Sequence, residues 1–85
     1  MYKIGVIIPC YNEGKRLDFL EVEKLIMLPN IKIFFANDGS TDNTAEIINQ
    51  FILQHNKDNL TMFDYKENTG KANTIYTTVN MLLQD

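Results

Sequence analysis

The sequence predicts an α/β fold: a three-stranded parallel sheet with flanking helices, in the order β-α-β-α-β-α. Apolar runs of strand length alternate with stretches whose apolar residues recur every three or four positions. The connections between them are short and rich in turn-forming residues. Because crossovers between parallel strands are right-handed, the loops that follow the three strands should meet at one edge of the sheet.

Size and charge narrow the classes of protein to consider. Eighty-five residues allow one small domain with a modest core. The hydrophobic content of 45% is that of an ordinary globular chain. The net charge is −3, and no basic tract is present. We therefore expect no nucleic-acid partner and no membrane contact from this segment.

Cysteine usage and hydropathy bear on the cellular compartment. Cys10 is the only cysteine, so an internal disulfide is impossible, which fits a reducing compartment. No apolar run approaches the ~20 residues of a membrane span, and no signal-peptide pattern opens the chain. These features predict a cytoplasmic protein.

The first half of the chain contains two predicted strands and a helix. Residues 2–8 form a near-continuous apolar run, typical of a strand covered on both faces. Pro9 lacks an N–H group and should end that strand. A helix is predicted over at least residues 21–28, and Pro29 ends it. The second strand is predicted over residues 31–36.

The second half contains two helices and a strand. Asn43 is the expected N-cap of the next helix, with Glu46 as its capping-box partner. A third strand is predicted over residues 60–65. The last helix is amphipathic and runs to the chain end. Its predicted apolar face consists of Ala72, Ile75, Tyr76, Val79, Leu82 and Leu83.

The stretch between the second strand and its helix, residues 36–44, is the centre of the predicted site. A carboxylate at this edge could accept a hydrogen bond from an imide N–H, a ribose hydroxyl or a metal-bound water. Asp38 is the best candidate for this role. Alternatively, Asp38 accepts hydrogen bonds from its own turn. Asp42 lies nearer the helix start and is expected to be a capping or electrostatic residue.

The neighbouring loops contribute further candidates. Tyr11 offers an aromatic face for stacking on a base, or is simply a partly buried loop aromatic. Glu13 could accept from a sugar or base, or be a solvated charge. Lys71 opens a helix and could meet a phosphate there, or be an ordinary exposed lysine. Cys10 is interpreted as a packing thiol.

The sequence lacks the motifs that several alternative functions require. No Gly-x-Gly-x-x-Gly follows the first strand and no P-loop occurs. A lone histidine and a lone cysteine cannot build a zinc site. A phospho-receiver domain would need an acidic pair after the first strand, where this chain has Pro9 and Cys10.

Three sequence blocks, residues 6–13, 37–44 and 67–72, carry a family resemblance. In order and spacing they resemble the family 2 glycosyltransferases of the GT-A fold. The resemblance covers nearly the whole chain. It implies that residues 1–85 are a single partial nucleotide-sugar-binding domain, the N-terminal half of a GT-A (Rossmann-like) domain.

The resemblance also implies roles for the candidate residues. Pro9, Tyr11 and Glu13 would border the nucleoside of a UDP- or GDP-sugar. Asp38 would contact the base, and Lys71 would lie near the ribose or phosphates. Asn37 stands where many members carry a second aspartate.

Other parts of the family pattern are missing from this chain. The family's metal-binding Asp-x-Asp motif does not occur in it, and the catalytic base lies further downstream in the family. The sequence therefore predicts no catalytic residue and no metal ligand here. A divalent metal, Mg²⁺ or Mn²⁺, is expected for the full-length enzyme, and glycosyl transfer by these residues alone is not.

An alternative function belongs to the class of interaction proteins. The chain could be a catalytically inactive nucleotide-binding or interaction half-domain. Because a sheet of three strands has open edges, such a half-domain could form a homo-oligomer by pairing through one of them.

Overall fold

The computed structural model describes residues 3–15, 17–55 and 58–83. It confirms the predicted β-α-β-α-β-α order. None of the helices in these ranges is long and apolar enough to cross a membrane. The elements are β1 Ile4–Cys10, α1 Leu20–Ile26, β2 Ile31–Asp38, α2 Thr44–His55, β3 Leu60–Tyr65 and α3 Lys71–Leu83.

The sheet is parallel, and β2 lies in its centre. Both neighbours pair with β2 in register, so that Asn37 lies opposite Cys10 on β1 and opposite Asp64 on β3. The carboxyl ends of all three strands therefore lie at one edge of the sheet. The loops that leave this edge are called loop 1 (residues 11–14), loop 2 (residues 39–43) and loop 3 (residues 66–70).

One face of the sheet carries the main core. Ile33 and Phe35 of β2 are fully buried there, against Ile48 and Phe51 of α2. The ring of Phe19, just before α1, stacks on Phe51 with 4.1 Å between ring centroids. Alternate residues of a strand point to opposite faces, so Phe34 faces the other side, where Leu82 of α3 lies near it.

Two strands are longer than predicted. β1 continues through Pro9 to Cys10, and β2 continues to Asp38. Proline is tolerated in β1 because this strand pairs on one side only within the described sheet. Asn37 and Asp38 are therefore strand residues whose side chains point to opposite faces. The predicted strand start at residue 2 lies outside the described residues.

The helix ends also differ from the prediction. α1 ends at Ile26 rather than Leu28, because the last two N–H groups bond to carbonyls three residues earlier in a tightened turn. At the start of α2, Asp42 accepts from the N–H of Thr44 at 3.0 Å, as its predicted capping role requires. A reciprocal Asn43–Glu46 capping box is not among the hydrogen bonds of the described residues.

The orientation of α3 corrects the prediction from its periodicity. The residues that it buries are Thr74 and Thr78, while Tyr76 (68%) and Leu83 (76%) are exposed. The Thr78 hydroxyl is within 2.7 Å of the Tyr65 hydroxyl and donates to the Thr74 carbonyl at 2.8 Å. The Thr74 hydroxyl contacts that of Thr69 at 3.4 Å. Since both buried hydroxyls have partners, the threonine face can pack on the sheet and the apolar face remains outside. The predicted helix end at residue 85 lies outside the described residues.

Candidate functional site

A cavity of about 340 Å³ opens at the carboxyl edge of the sheet. Its volume is at the lower end of the range for small-molecule sites, roughly 300–1,000 Å³. All five residues that the sequence suggested are in its lining, together with three more. The lining residues are Pro9, Cys10, Tyr11, Glu13, Asp38, Asn68, Gly70 and Lys71.

The carboxylate of Asp38 is buried, with 2% of the residue exposed, and is bonded to loop 3. It accepts from the N–H groups of Thr69 at 2.9 Å and Gly70 at 3.0 Å. It also accepts from the Asn68 side-chain amide at 3.1 Å. These partners belong to the next βα loop, not to its own turn. Asp38 therefore fixes the loop that leads into Lys71.

The same contacts set the ionisation of Asp38. Burial alone would raise the pKa of this carboxyl, but hydrogen bonds from Thr74, Thr69 and Gly70 together hold the pKa below its usual value of 3.8. The carboxylate is therefore ionised at neutral pH. Its bonds to loop 3 stabilise the fold above about pH 3.8, and this stabilisation is lost as the pH falls below that value.

Loop 1 is held by side chains from loop 2 and the start of α2. Three successive backbone N–H groups donate to three different side chains. The acceptors are Ser40 Oγ for residue 12 (2.9 Å), Thr44 Oγ1 for residue 13 (2.9 Å) and Asp42 Oδ2 for residue 14 (3.1 Å). These bonds fix the backbone beside Tyr11 and under Glu13.

Asn12 adopts a left-handed conformation, with φ of 50°. Asparagine tolerates this region better than most residues. Its side-chain oxygen accepts from the N–H of Thr41 at 2.8 Å, so the bend is locked to loop 2. The conformation turns the chain between Tyr11 and Glu13, which both line the cavity.

Gly39 brings loop 2 against loop 3. Its φ is 65°, and a Cβ atom there would overlap the backbone at Glu67 and Asn68. Its N–H donates to the Tyr65 carbonyl at 3.0 Å. Only glycine combines this conformation with so close an approach.

Reasoning from the sequence missed the residues that organise these loops. Ser40, Thr44 and Asn68 hold backbone or carboxylate groups of neighbouring loops. The available signal was the concentration of hydroxyl and amide side chains after two of the strands, since such side chains bond readily to nearby backbone groups. The sequence does not specify which loop each of them reaches.

The lining combines an aromatic ring, carboxylates and a cation. Tyr11 is 45% exposed, Glu13 is half-buried, and Lys71 is exposed at the first residue of α3. The N-terminus of a helix attracts anions, and a lysine there adds to the attraction. Within residues 3–15, 17–55 and 58–83, no group of three or more His, Cys, Asp or Glu side chains could hold a metal ion.

Comparisons with known proteins give the family context. The profile of the family described as glycosyl transferase family 2 matches residues 5–82. A poly-beta-1,6-N-acetyl-D-glucosamine synthase of Staphylococcus epidermidis is 38% identical over 73 residues, covering 85% of this chain and 17% of that protein. Glycosyltransferase GlyG of Streptococcus pneumoniae is 40% identical over 72 residues, covering 81% of this chain and 22% of that protein. The chain thus spans about a fifth of the length of these relatives.

Cys10 lines the cavity and is buried. Burial, with a smaller contribution from the nearby charge of Glu13, raises the pKa of its thiol from 9.0 to about 11. The thiol therefore stays protonated at neutral pH. This agrees with its interpretation as a packing residue, because the thiolate is the reactive form.

We expect Cys10 to react slowly with iodoacetamide. A pKa raised by two units lowers the thiolate fraction at pH 8 about 100-fold. The measurement is the alkylation rate of the native protein between pH 7 and 11, with the urea-unfolded chain as control. The rate should rise up to about pH 11, whereas that of the unfolded chain should level off near pH 9. A native rate equal to the unfolded rate would contradict the buried, neutral thiol.

Proposed function

Since the chain belongs to glycosyltransferase family 2, we propose that it is the N-terminal part of an enzyme that binds a nucleotide-diphosphate sugar and transfers the sugar to an acceptor. Its three-stranded α/β architecture agrees with the N-terminal half of a GT-A domain. The observation that carries the proposal is the convergence of Pro9, Tyr11, Glu13, Asp38 and Lys71, from three separate parts of the chain, on one cavity.

In this proposal the nucleoside lies against loop 1. Pro9 and Tyr11 provide an apolar wall, and stacking of a base on an aromatic ring contributes about 1–3 kcal/mol. Glu13 is placed to accept from a hydroxyl of the sugar or an N–H of the base. These roles are supported by the side-by-side positions of the residues in the cavity lining.

Asp38 is proposed to contact the base in exchange for one of its weaker hydrogen bonds. Its Oδ2 atom already receives two hydrogen bonds, from Asn68 and Gly70. Its Oδ1 atom receives one short bond from the Thr69 N–H and a long contact, 3.5 Å, from the Thr69 hydroxyl. The Thr74 hydroxyl also bonds to this carboxylate, which has about four acceptor sites in all. A base N–H of uracil or guanine would therefore replace the contact of a threonine hydroxyl.

Lys71 is proposed to meet the diphosphate. The first N–H groups of α3 lack helical carbonyl partners and point away from the helix. Together with the lysine charge they favour a phosphate at this end of the cavity. Asp38 supports the arrangement indirectly, since it holds Gly70, the residue before Lys71.

The chemical step is not assigned to any residue of this chain. Mg²⁺ or Mn²⁺ is proposed as the cofactor of the longer enzyme, and the described residues do not supply a cluster of ligands for it. The catalytic base, like the metal ligands, is proposed to lie in the rest of the longer enzyme. A cytoplasmic location is part of the proposal, because the lone Cys10 fits a reducing compartment.

The direct test is an amide-shift titration of the chain with UDP and GDP, each with and without Mn²⁺. We expect shifts clustered at Tyr11, Asp38 and Lys71. Asp38→Ala should weaken binding about tenfold or more, since it removes the base acceptor and releases loop 3, each a loss of roughly 1 kcal/mol or more. Asp42→Ala should weaken it less, because Asp42 acts only through loop 1.

Two controls sharpen this titration. Lys71→Ala should weaken binding, whereas Lys24→Ala, on the exposed surface of α1, should leave it unchanged. Circular dichroism of each variant separates lost binding from lost fold. The absence of any response to either nucleotide would contradict nucleotide binding by this chain. A larger effect of Asp42→Ala than of Asp38→Ala would contradict the assigned roles.

A second candidate function is self-association of an inactive half-domain, and the exposed apolar face of α3 favours it. Tyr76, Val79, Leu82 and Leu83 are exposed on this helix. A shallow groove of about 270 Å³ continues from Leu82 to the edge strand β1. Contiguous apolar surface beside an open strand is typical of an interface between chains. The proposed occupant is a second copy of this chain.

Sedimentation velocity tests this candidate. The chain should be dimeric at micromolar concentration, and Leu82→Glu should shift it to monomer because a charge would be buried in the interface. Leu53→Glu, at an exposed apolar residue on α2, is the matched control and should remain dimeric. A monomeric unmodified chain at the same concentration would exclude self-association.

A further inference from the structure

Asn37, which the proposed roles leave unused, links β3 to loop 2 and, through Ser40, to loop 1. It is 2% exposed and lies on the face of β2 opposite to Asp38. Its side-chain amide donates to Asp64 Oδ1 of β3 at 2.9 Å. Its side-chain oxygen accepts from the Ser40 hydroxyl at 2.5 Å. Ser40 Oγ in turn accepts from the backbone N–H of Asn12 at 2.9 Å.

This chain of hydrogen bonds has one possible direction. The NH₂ group of Asn37 donates to Asp64, so the amide oxygen is the atom that faces Ser40. The Ser40 hydroxyl must then donate to Asn37, and its lone pairs are left for the N–H of Asn12. The direction of every bond from β3 to loop 1 is thus set by the amide of residue 37.

We propose that Asn37 is a positioning residue for the ligand cavity: its amide orients the hydrogen-bond chain that holds Asn12, and thereby Tyr11 and Glu13, against loop 2. This inference rests on the proposed nucleotide site and adds a residue that acts on it without touching the ligand. Asn37 is absent from the cavity lining, whereas Tyr11 and Glu13 belong to it.

Aspartate at position 37 would have nearly the same shape as asparagine, but its ionised side chain could not donate a hydrogen bond. Two carboxylates would face each other at the distance now spanned by the amide, and neither could donate while both are ionised. The other titratable group beside residue 37 is the Cys10 thiol on β1, which is protonated at neutral pH. A proton shared by the two carboxylates at lower pH would restore a donor, because like charges raise each other's pKa.

The test compares Asn37→Asp, Asp64→Asn and the exchanged pair Asn37→Asp/Asp64→Asn. In the exchanged pair, the amide of residue 64 donates to the carboxylate of residue 37, which still accepts from Ser40. The readout is the hydrogen-exchange protection factor of the Asn12 amide in the ligand-free chain, at pH 5.0 and 7.5. Asn80→Asp, the same change at an exposed site of α3, is the matched control.

Asn37→Asp should lower the protection factor about tenfold at pH 7.5 and by less at pH 5.0. Repulsion between the directly opposed carboxylates of residues 37 and 64 displaces residue 37 from Ser40 and loosens the Ser40–Asn12 bond, a loss of about 1–1.5 kcal/mol. The exchanged pair and Asp64→Asn should stay within about twofold of the unmodified chain. Ser40→Ala breaks the same chain of bonds without adding charge. It should therefore lower the Asn12 protection factor equally at both pH values. Nucleotide affinity, measured by amide-shift titration, should follow the same order.

Three results would overturn the inference. One is an Asn12 amide equally protected in Asn37→Asp and in the unmodified chain. Another is a loss of Asn12 protection in Asn37→Asp that is restored neither at pH 5.0 nor in the exchanged pair. A packing defect alone would produce that result. The third is lost protection with unchanged nucleotide affinity. If the unmodified chain binds no nucleotide, the proposed function fails, while the protection factors still decide whether Asn37 orients loop 1.

Discussion

The bonds between the Asp38 carboxylate and loop 3 are the interaction on which the rest of the site depends. The carboxylate is buried at the end of the central strand, and the N–H groups of Thr69 and Gly70 have it as their acceptor. Leaving a buried acceptor unpaired costs about 1–3 kcal/mol, and more when the acceptor is charged. Through these bonds β2 determines where α3 begins, and therefore where Lys71 stands relative to the cavity.

The same segment holds the other wall of the cavity. The backbone N–H groups of residues 12, 13 and 14 in loop 1 donate to the side chains of Ser40, Thr44 and Asp42, respectively. The stretch from Asn37 to Thr44 therefore organises both neighbouring loops, and Asp38 alone of its residues lines the cavity. Its hydroxyl and carboxylate groups serve mainly to preorganise residues elsewhere, which lowers the entropic cost of ligand binding.

The sequence was enough to predict the fold and which residues meet at the carboxyl edge of the sheet. It was not enough to predict the hydrogen bonds between the loops at that edge. Periodicity and loop position suffice to bring Tyr11, Asp38 and Lys71 to one edge of a parallel sheet. Periodicity cannot show that Asp38 bonds to a loop some thirty residues away. Periodicity also predicted the wrong face of α3 to be buried. The hydroxyls of Thr74 and Thr78 have hydrogen-bond partners, so the polar face of the helix can pack on the sheet.

Amide hydrogen exchange of the unmodified chain shows whether residues 37–44 hold loop 1 and loop 3 in place. If residues 37–44 hold both neighbouring loops, the amides of residues 12, 13, 14, 69 and 70 should be protected. They should also exchange through one common opening, because all of their acceptors belong to this one segment. We expect five similar protection factors, all well above that of the amide of Asn30, which lies in the exposed turn before β2. Exchange of these five amides at the rate of unstructured peptide would contradict this expectation.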